Sequence, residues 1–384
     1  MSSKFDDIAP LYDHEVEQII QELLVDPGFK HAVNYIMPDI NWDDFSKEMS
    51  TYKTKEDFQR KMIYPVVSWL GKSCSTSIRT ENWENLSKTE QHVILSNHRD
   101  IVLDAGLLNI KRFEHDFNTT EIAIGDNLLI HPWIDKLVRL NKSFIVKRGC
   151  SIKEQLLSSK HLSEYIYYNI NEKGESVWIA QREGRAKDSN DRTQDSLLKM
   201  LTLHGTKETF IENLQSLNLV PLSISYEYDP CDYLKAREFQ LKRDNPEYKK
   251  TERDDLLNME IGILGQKGDI VFRFGKCIND KLGQITETEK RLQVEQAAKI
   301  IDQEIHSNYE IFPGNYVAHD LLNNEKRFAG TKYTPEQADH FTSYVKKQLA
   351  KIDDVENKDE DFLYEKMLIM YSNTLKNHLI ATGK

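Results

Sequence analysis

The chain has 384 residues, of which 39% are apolar and 29% charged, and it carries a formal net charge of −11. That length exceeds one small core and fits a catalytic domain with appended helical parts, or two domains. The negative charge argues against non-specific nucleic-acid binding, and 10% aromatic residues argue against wholesale disorder.

The N-terminus, MSSKFDDIAPLYD, is acidic and lacks the apolar core of a signal peptide. No run of about 18 apolar residues occurs, so no membrane-spanning helix is expected. Residues 1–88 read as helices. HEVEQIIQELL places Val16, Ile19, Ile20, Leu23 and Leu24 on one helical stripe. KTKEDFQRKMIYPVVSWLGK continues the pattern, with Pro65 marking a kink or break.

From about residue 90 short β-rich runs alternate with helical ones. The runs are HVILSN (92–97), EIAIGD (121–126), SFIVKR (143–148), SVWIAQ (176–181), VPLSISYEY (220–228) and DIVFRFGKCI (269–278). This alternation predicts an α/β fold, with a mostly parallel or mixed central sheet flanked by helices. Reactive residues in such folds gather at strand ends and the loops that follow. After about residue 284 the chain reads as helical again, starting with EKRLQVEQAAKIIDQEIHSNY and ending with FLYEKMLIMYSNTLKNHLI. The expected organisation is a helical N-terminal region (1–88), an α/β catalytic domain (89–284) and a helical C-terminal region packed on it (285–384). Cys74, Cys150, Cys231 and Cys277 are scattered, with no CxxC or Cys/His cluster. They read as free buried thiols of a reducing compartment, and no metal site is expected.

The stretch SNHRDIVLD (96–104) concentrates the chemistry. His98-Arg99-Asp100 spells the triplet of a protein-kinase catalytic loop. That loop needs an Asn five residues after the Asp, a following DFG and an upstream glycine-rich loop. Position 105 is Ala105, and neither of the other motifs exists. An apolar strand that delivers His98 into a loop fits a general base instead, because a neutral imidazole can take a hydroxyl proton. A carboxylate on the following helix can hold the other ring nitrogen.

Four blocks in order strengthen this reading: NHRDIVLDAGLL, SFIVKRG, AQREGRAKDSNDRTQ and LVPLSISY, with VFRFGKCI as a strand–Gly–basic ending. Together they resemble the glycerolipid acyltransferase superfamily, which includes glycerol-3-phosphate and 1-acylglycerol-3-phosphate O-acyltransferases. The family spaces His and Asp by four residues, whereas five separate His98 from Asp104. Asp104 is therefore assigned as the catalytic partner through a one-residue bulge, with Asp100 as the alternative. The resemblance further implies phosphate-binding roles for Lys147, Arg148, Arg185 and Lys187, and substrate orientation by Glu183 and Gly184. No cofactor or metal is implied. The donor would be acyl-CoA or acyl-carrier protein, and the acceptor a glycerol phosphate. Dihydroxyacetone phosphate, an amino-acid lipid, or a non-catalytic lipid- or acyl-carrier-binding role are the alternatives. The expected location is cytoplasmic, peripheral at the inner membrane surface, with no nucleic-acid partner. NLLIHPWIDKLVRLNK (127–142) mixes apolar and basic residues as an interfacial helix does, with an ordinary core-facing helix as the alternative.

Overall fold

The computed structural model describes residues 4–148 and 151–384. Five helices open the chain: α1 (Val16–Leu24), α2 (Pro27–Ile36), α3 (Trp42–Met49), α4 (Lys55–Phe58) and α5 (Tyr64–Cys74). The apolar stripe of α1 buries Val16, Ile20 and Leu23 against Phe29, Val33, Met49 and Phe58. Pro65 stands just after a single π-helical turn (Gln59–Ile63) that joins α4 to α5 without a break, so the irregularity expected at the proline takes the form of that turn.

Seven strands follow: β1 (Ser77–Glu81), β2 (Val93–Ser96), β3 (Glu121–Gly125), β4 (Ser143–Val146), β5 (Val177–Ala180), β6 (Val220–Tyr226) and β7 (Asp269–Phe274). They form one mixed sheet in the order β1-β7-β6-β2-β5-β3-β4. Every neighbouring pair is parallel except β6 with β7. The mostly parallel α/β sheet read from the sequence is thus present, with one strand more than expected. Strand β1 falls in the stretch read as helical. Its sequence, SIRTE, is polar and only half-buried because it lies on the sheet edge, so it carries no apolar alternation.

Helices connect the strands and cover both faces: α6 (Leu103–Glu114), α7 (Pro132–Leu140), α8 (Ile152–Tyr168), α9 (Asp195–Leu201), α10 (Phe210–Gln215), α11 (Asp232–Asp244), α12 (Glu252–Leu264) and α13 (Asn279–Leu282). On one face Leu103, Leu107 and Leu108 of α6 pack with Ile94, Trp178 and Leu222. On the other, Leu162, Tyr165 and Ile166 of α8 pack with Val93, Leu95 and Ile179. The central strand β2 is buried along its whole length, as a two-sided parallel strand requires.

The chain ends in α14 (Lys290–Ser307), α15 (Pro313–Asn323), α16 (Pro335–Leu349) and α17 (Glu360–Thr382). Val317, Phe341, Val345, Leu363 and Met367 build a separate helical core there. Cys74 and Cys231 are buried free thiols and Cys277 is half-buried, while Cys150 lies outside the described residues. Among the described residues no helix is long and apolar enough to cross a membrane.

The helix expected at the membrane interface has another occupation. Trp133 of α7 lies 6.2 Å from Phe29 ring to ring, and Ile134 and Leu140 are buried. Lys136 pairs with Glu22 at 2.8 Å, and Arg139 donates to the Ala9 carbonyl at 2.7 Å. Trp133, Lys136 and Arg139 therefore hold α7 to the N-terminal region, while Leu128 lines a cleft of the sheet and Lys142 pairs with Glu175.

Candidate active site

The site begins where β2 ends. Asn97 donates its side-chain amide to the Ile224 carbonyl (2.8 Å) and accepts from the Ile224 N–H (2.9 Å). It thereby ties the end of β2 to β6 and fixes the point from which His98 projects. Trp178 of β5 donates to Ser96 Oγ at 3.0 Å and stands edge-on to the His98 ring, 5.5 Å between centroids.

His98 Nδ1 lies 2.8 Å from Asp104 Oδ2. The same oxygen accepts the backbone N–H of Arg99 (2.6 Å) and of Asp100 (3.1 Å). The loop after His98 thus curls around the Asp104 carboxylate, and this turn accommodates the extra residue in the His-to-Asp spacing. Asp104 is fully buried, so its charge rests on these donors and on Tyr226, whose hydroxyl donates to Oδ1 at 2.8 Å. Burial and the neighbouring Asp104 push the Tyr226 pKa well above its ordinary value, so it stays a neutral donor. Asp100 does something else: its Oδ1 accepts the N–H of Val102 (2.9 Å) and Leu103 (2.8 Å) at the start of α6.

The Arg99 side chain points away from His98. It pairs with Asp191 at 2.9 Å, and Tyr309 also donates to that carboxylate, at 3.0 Å. Burial opposes the Arg99 charge, but Asp191, Tyr309, Asp229 and Asp104 together outweigh it and the pKa rises above the usual value. Asp191 belongs to the third sequence block, whose remaining residues turn out to be anchors. Thr193 donates through N and Oγ1 to Asp302 of α14 (2.7 Å each), and Arg192 donates to Asn377 of α17 (3.0 Å).

His98 opens onto a cleft of about 500 Å³ at the C-terminal ends of β2, β3 and β5. Arg148, Glu183, Gly184, Arg185 and Lys187 line the same cleft, so five of the six residues expected to contact substrate are brought to one place with the histidine. Gly184 has φ +64°, a left-handed conformation that favours glycine at this turn. Arg148 meets Glu183 at 3.4 Å, and Lys187 is ion-paired with Glu238. Burial lowers the Lys187 pKa, with Glu238 opposing. Arg185 reaches the Arg99 carbonyl (3.5 Å) and Asn258 Oδ1 (3.3 Å). Lys147 does not join them. Strand alternation turns it to the other side of β4's end, where it pairs with Asp7 at 2.8 Å, 41% exposed. The apolar side of the cleft includes Ile122, Ile124, Leu128, Trp178 and Ala180.

Several lining residues were not legible beforehand. Lys235 and Glu238 of α11 and Asp255 and Asn258 of α12 form a wall inserted between β6 and β7. Tyr226 and Arg182 also escaped notice, the one as the last residue of an apolar strand, the other as a spacer before Glu183. A larger cleft of about 690 Å³ opens near the opposite strand ends, beside Thr119, Lys142 and Glu175, and contains none of the expected residues.

A half-buried histidine held by a buried aspartate at the end of a central parallel strand, facing a cleft with apolar and cationic sides, is an arrangement that can act as a general base. Residues 77–225 match the acyltransferase family. Among solved structures it is similar to the 1-acyl-sn-glycerophosphate (LPA) acyltransferase PlsC from Thermotoga maritima, at 11% identity. That similarity covers 78% of this chain and 100% of the other, with a TM-score of 0.37. The search of curated proteins returns no match.

Proposed function

We propose that the protein transfers a fatty acyl group from acyl-CoA or acyl-carrier protein to a hydroxyl of glycerol-3-phosphate or 1-acylglycerol-3-phosphate. The observation that carries this reading is the 2.8 Å contact between His98 Nδ1 and Asp104, which leaves the other ring nitrogen for a substrate in the cleft. Asp104, held by Arg99 N–H, Asp100 N–H and Tyr226, fixes the imidazole's tautomer and supports the imidazolium. His98 Nε2 takes the proton of the acceptor hydroxyl as its oxygen attacks the thioester carbonyl. A C–O bond forms, the C–S bond breaks, and the imidazolium returns the proton to the leaving thiolate. Arg148, Arg185 and Lys187 hold the acceptor's phosphate, and Glu183 with the Gly184 turn orients Arg148 and the backbone beside it. The Ile122–Ile124 and Trp178 wall accepts the start of the acyl chain. The enzyme works in the cytoplasm at the inner membrane surface, where long-chain substrates reside.

Purified protein given acyl-CoA or acyl-carrier protein with glycerol-3-phosphate, lysophosphatidate or dihydroxyacetone phosphate tests this directly. Ester product is expected with the wild type, and a loss of about 10²- to 10⁴-fold in kcat with His98→Ala. A folded His98→Ala variant with near-normal turnover would exclude the mechanism.

A further inference from the structure

The arginine and lysine side chains lining the cleft are not equally committed. Arg148 has Glu183 at 3.4 Å, Lys250 has Asp255 at 2.8 Å, Lys187 has Glu238 and Lys235 has Asp229. Two remain without a carboxylate within 4 Å. Arg185 meets neutral oxygens at 3.3 and 3.5 Å and the Cys231 side chain, while Asp229 and Asp100 act on it through space. Arg182 makes no hydrogen bond or ion pair among the described residues, and its buried Nε lacks an acceptor.

A buried guanidinium N–H without an acceptor loses its water and gains nothing in return, unless a ligand supplies the oxygen. Arg182 and Arg185 flank the Glu183-Gly184 turn, and both line the cleft that His98 faces. We infer that Arg182, acting with Arg185, is the principal seat of the acceptor's phosphate monoester. This deepens the proposed function and rests on it. Two planar forks can each donate twice to a group with three terminal oxygens and a charge of about −1.5 to −2. Arg148 and Lys187, already matched with Glu183 and Glu238, shape the entrance to this seat and hold the phosphate less directly.

The test is steady-state kinetics of Arg182→Gln and Arg182→Lys in the full chain, with glycerol-3-phosphate, lysophosphatidate and monoacylglycerol as acceptors and acyl-CoA as donor. Inorganic phosphate binding is measured alongside by calorimetry. Arg182→Gln is expected to raise KM for both phosphorylated acceptors about 10- to 100-fold and to weaken inorganic phosphate to a similar degree. The KM for acyl-CoA and the turnover of monoacylglycerol are expected to change by less than about threefold, and Arg182→Lys to recover part of the loss. A rise confined to the acyl-CoA KM would assign the seat to the donor's phosphates and overturn the inference. So would unchanged phosphate binding in a folded variant. If the wild type acylates no acceptor at all, the proposed function fails, while the calorimetric arm still decides whether Arg182 holds a phosphate.

Discussion

At the scale of single residues, two carboxylates next to one histidine have separate tasks. Asp104 reaches the ring, whereas Asp100 spends its Oδ1 on the amides that start α6. An Asp104→Asn variant keeps the volume but removes the charge that stabilises imidazolium, so kcat is expected to fall by about 10²-fold or more. Asp100→Asn leaves a good helix cap, and less than about threefold change is expected. Reversed magnitudes in kcat would mean that Asp100 supports the histidine. Lys147→Ala is expected to leave the acceptor KM within about twofold, because Lys147 faces Asp7 outside the cleft. A tenfold rise in KM would return Lys147 to the phosphate site. The resemblance of their sequence blocks to the glycerolipid acyltransferases singled out His98, Asp104 and the EGR turn, and the structure brings them to one place. Tyr226 and Arg182 were not singled out, since only the folded strand ends show what they face.

At the scale of elements, the sequence disclosed whatever carries apolar periodicity. The stripe of α1 and the buried runs of β2 to β7 are visible as hydrophobic pattern, and the structure contains them. The edge strand β1 and the charged helix α11 (DYLKAREFQLKRD) carry little such pattern, so neither was foreseen. Helix α7 illustrates an ambiguity instead, since an apolar and basic helix reads alike whether it meets lipid or another helix. Gly28 lies so close to Trp133 that an added Cβ would fall 2.5 Å from the indole Nε1, which shows how tightly this seam is closed. Trp133→Glu is therefore expected to destabilise the fold by about 2–4 kcal/mol, through lost packing and a carboxylate set among apolar groups. Urea denaturation measures this. A stable variant that loses only liposome binding would restore α7 as a membrane element.

At the scale of the whole molecule, buried ionisable groups join the C-terminal helices to the catalytic sheet, and two of them titrate in opposite directions. His306 of α14 donates to the Asp191 carbonyl at 2.9 Å, and burial, reinforced by Arg192, lowers its pKa from 6.5 to about 4. As pH falls below 6.5 the unfolded chain gains a proton that the native imidazole refuses, so stability is lost down to about pH 4. Asp232 of α11 accepts from Tyr344 (2.7 Å), Tyr371 (2.8 Å) and Gln348 (2.6 Å), and burial with the nearby Asp229 raises its pKa from 3.8 to about 6. The native state keeps that proton after the unfolded chain has released it, so stability is lost as pH rises through 6. Between pH 4 and 6 the two slopes, each about 1.4 kcal/mol per pH unit, offset one another in the wild type. Single variants are expected to unmask them. Relative to wild type, His306→Gln becomes less stable with rising pH across this window, because only the Asp232 slope remains. Asp232→Asn becomes more stable with rising pH, because only the His306 slope remains. Urea unfolding at pH 4.5 and 5.5 is expected to separate the two variants' pH trends by about 2–3 kcal/mol. Trends that run parallel to wild type would mean that neither group changes its proton occupancy on folding.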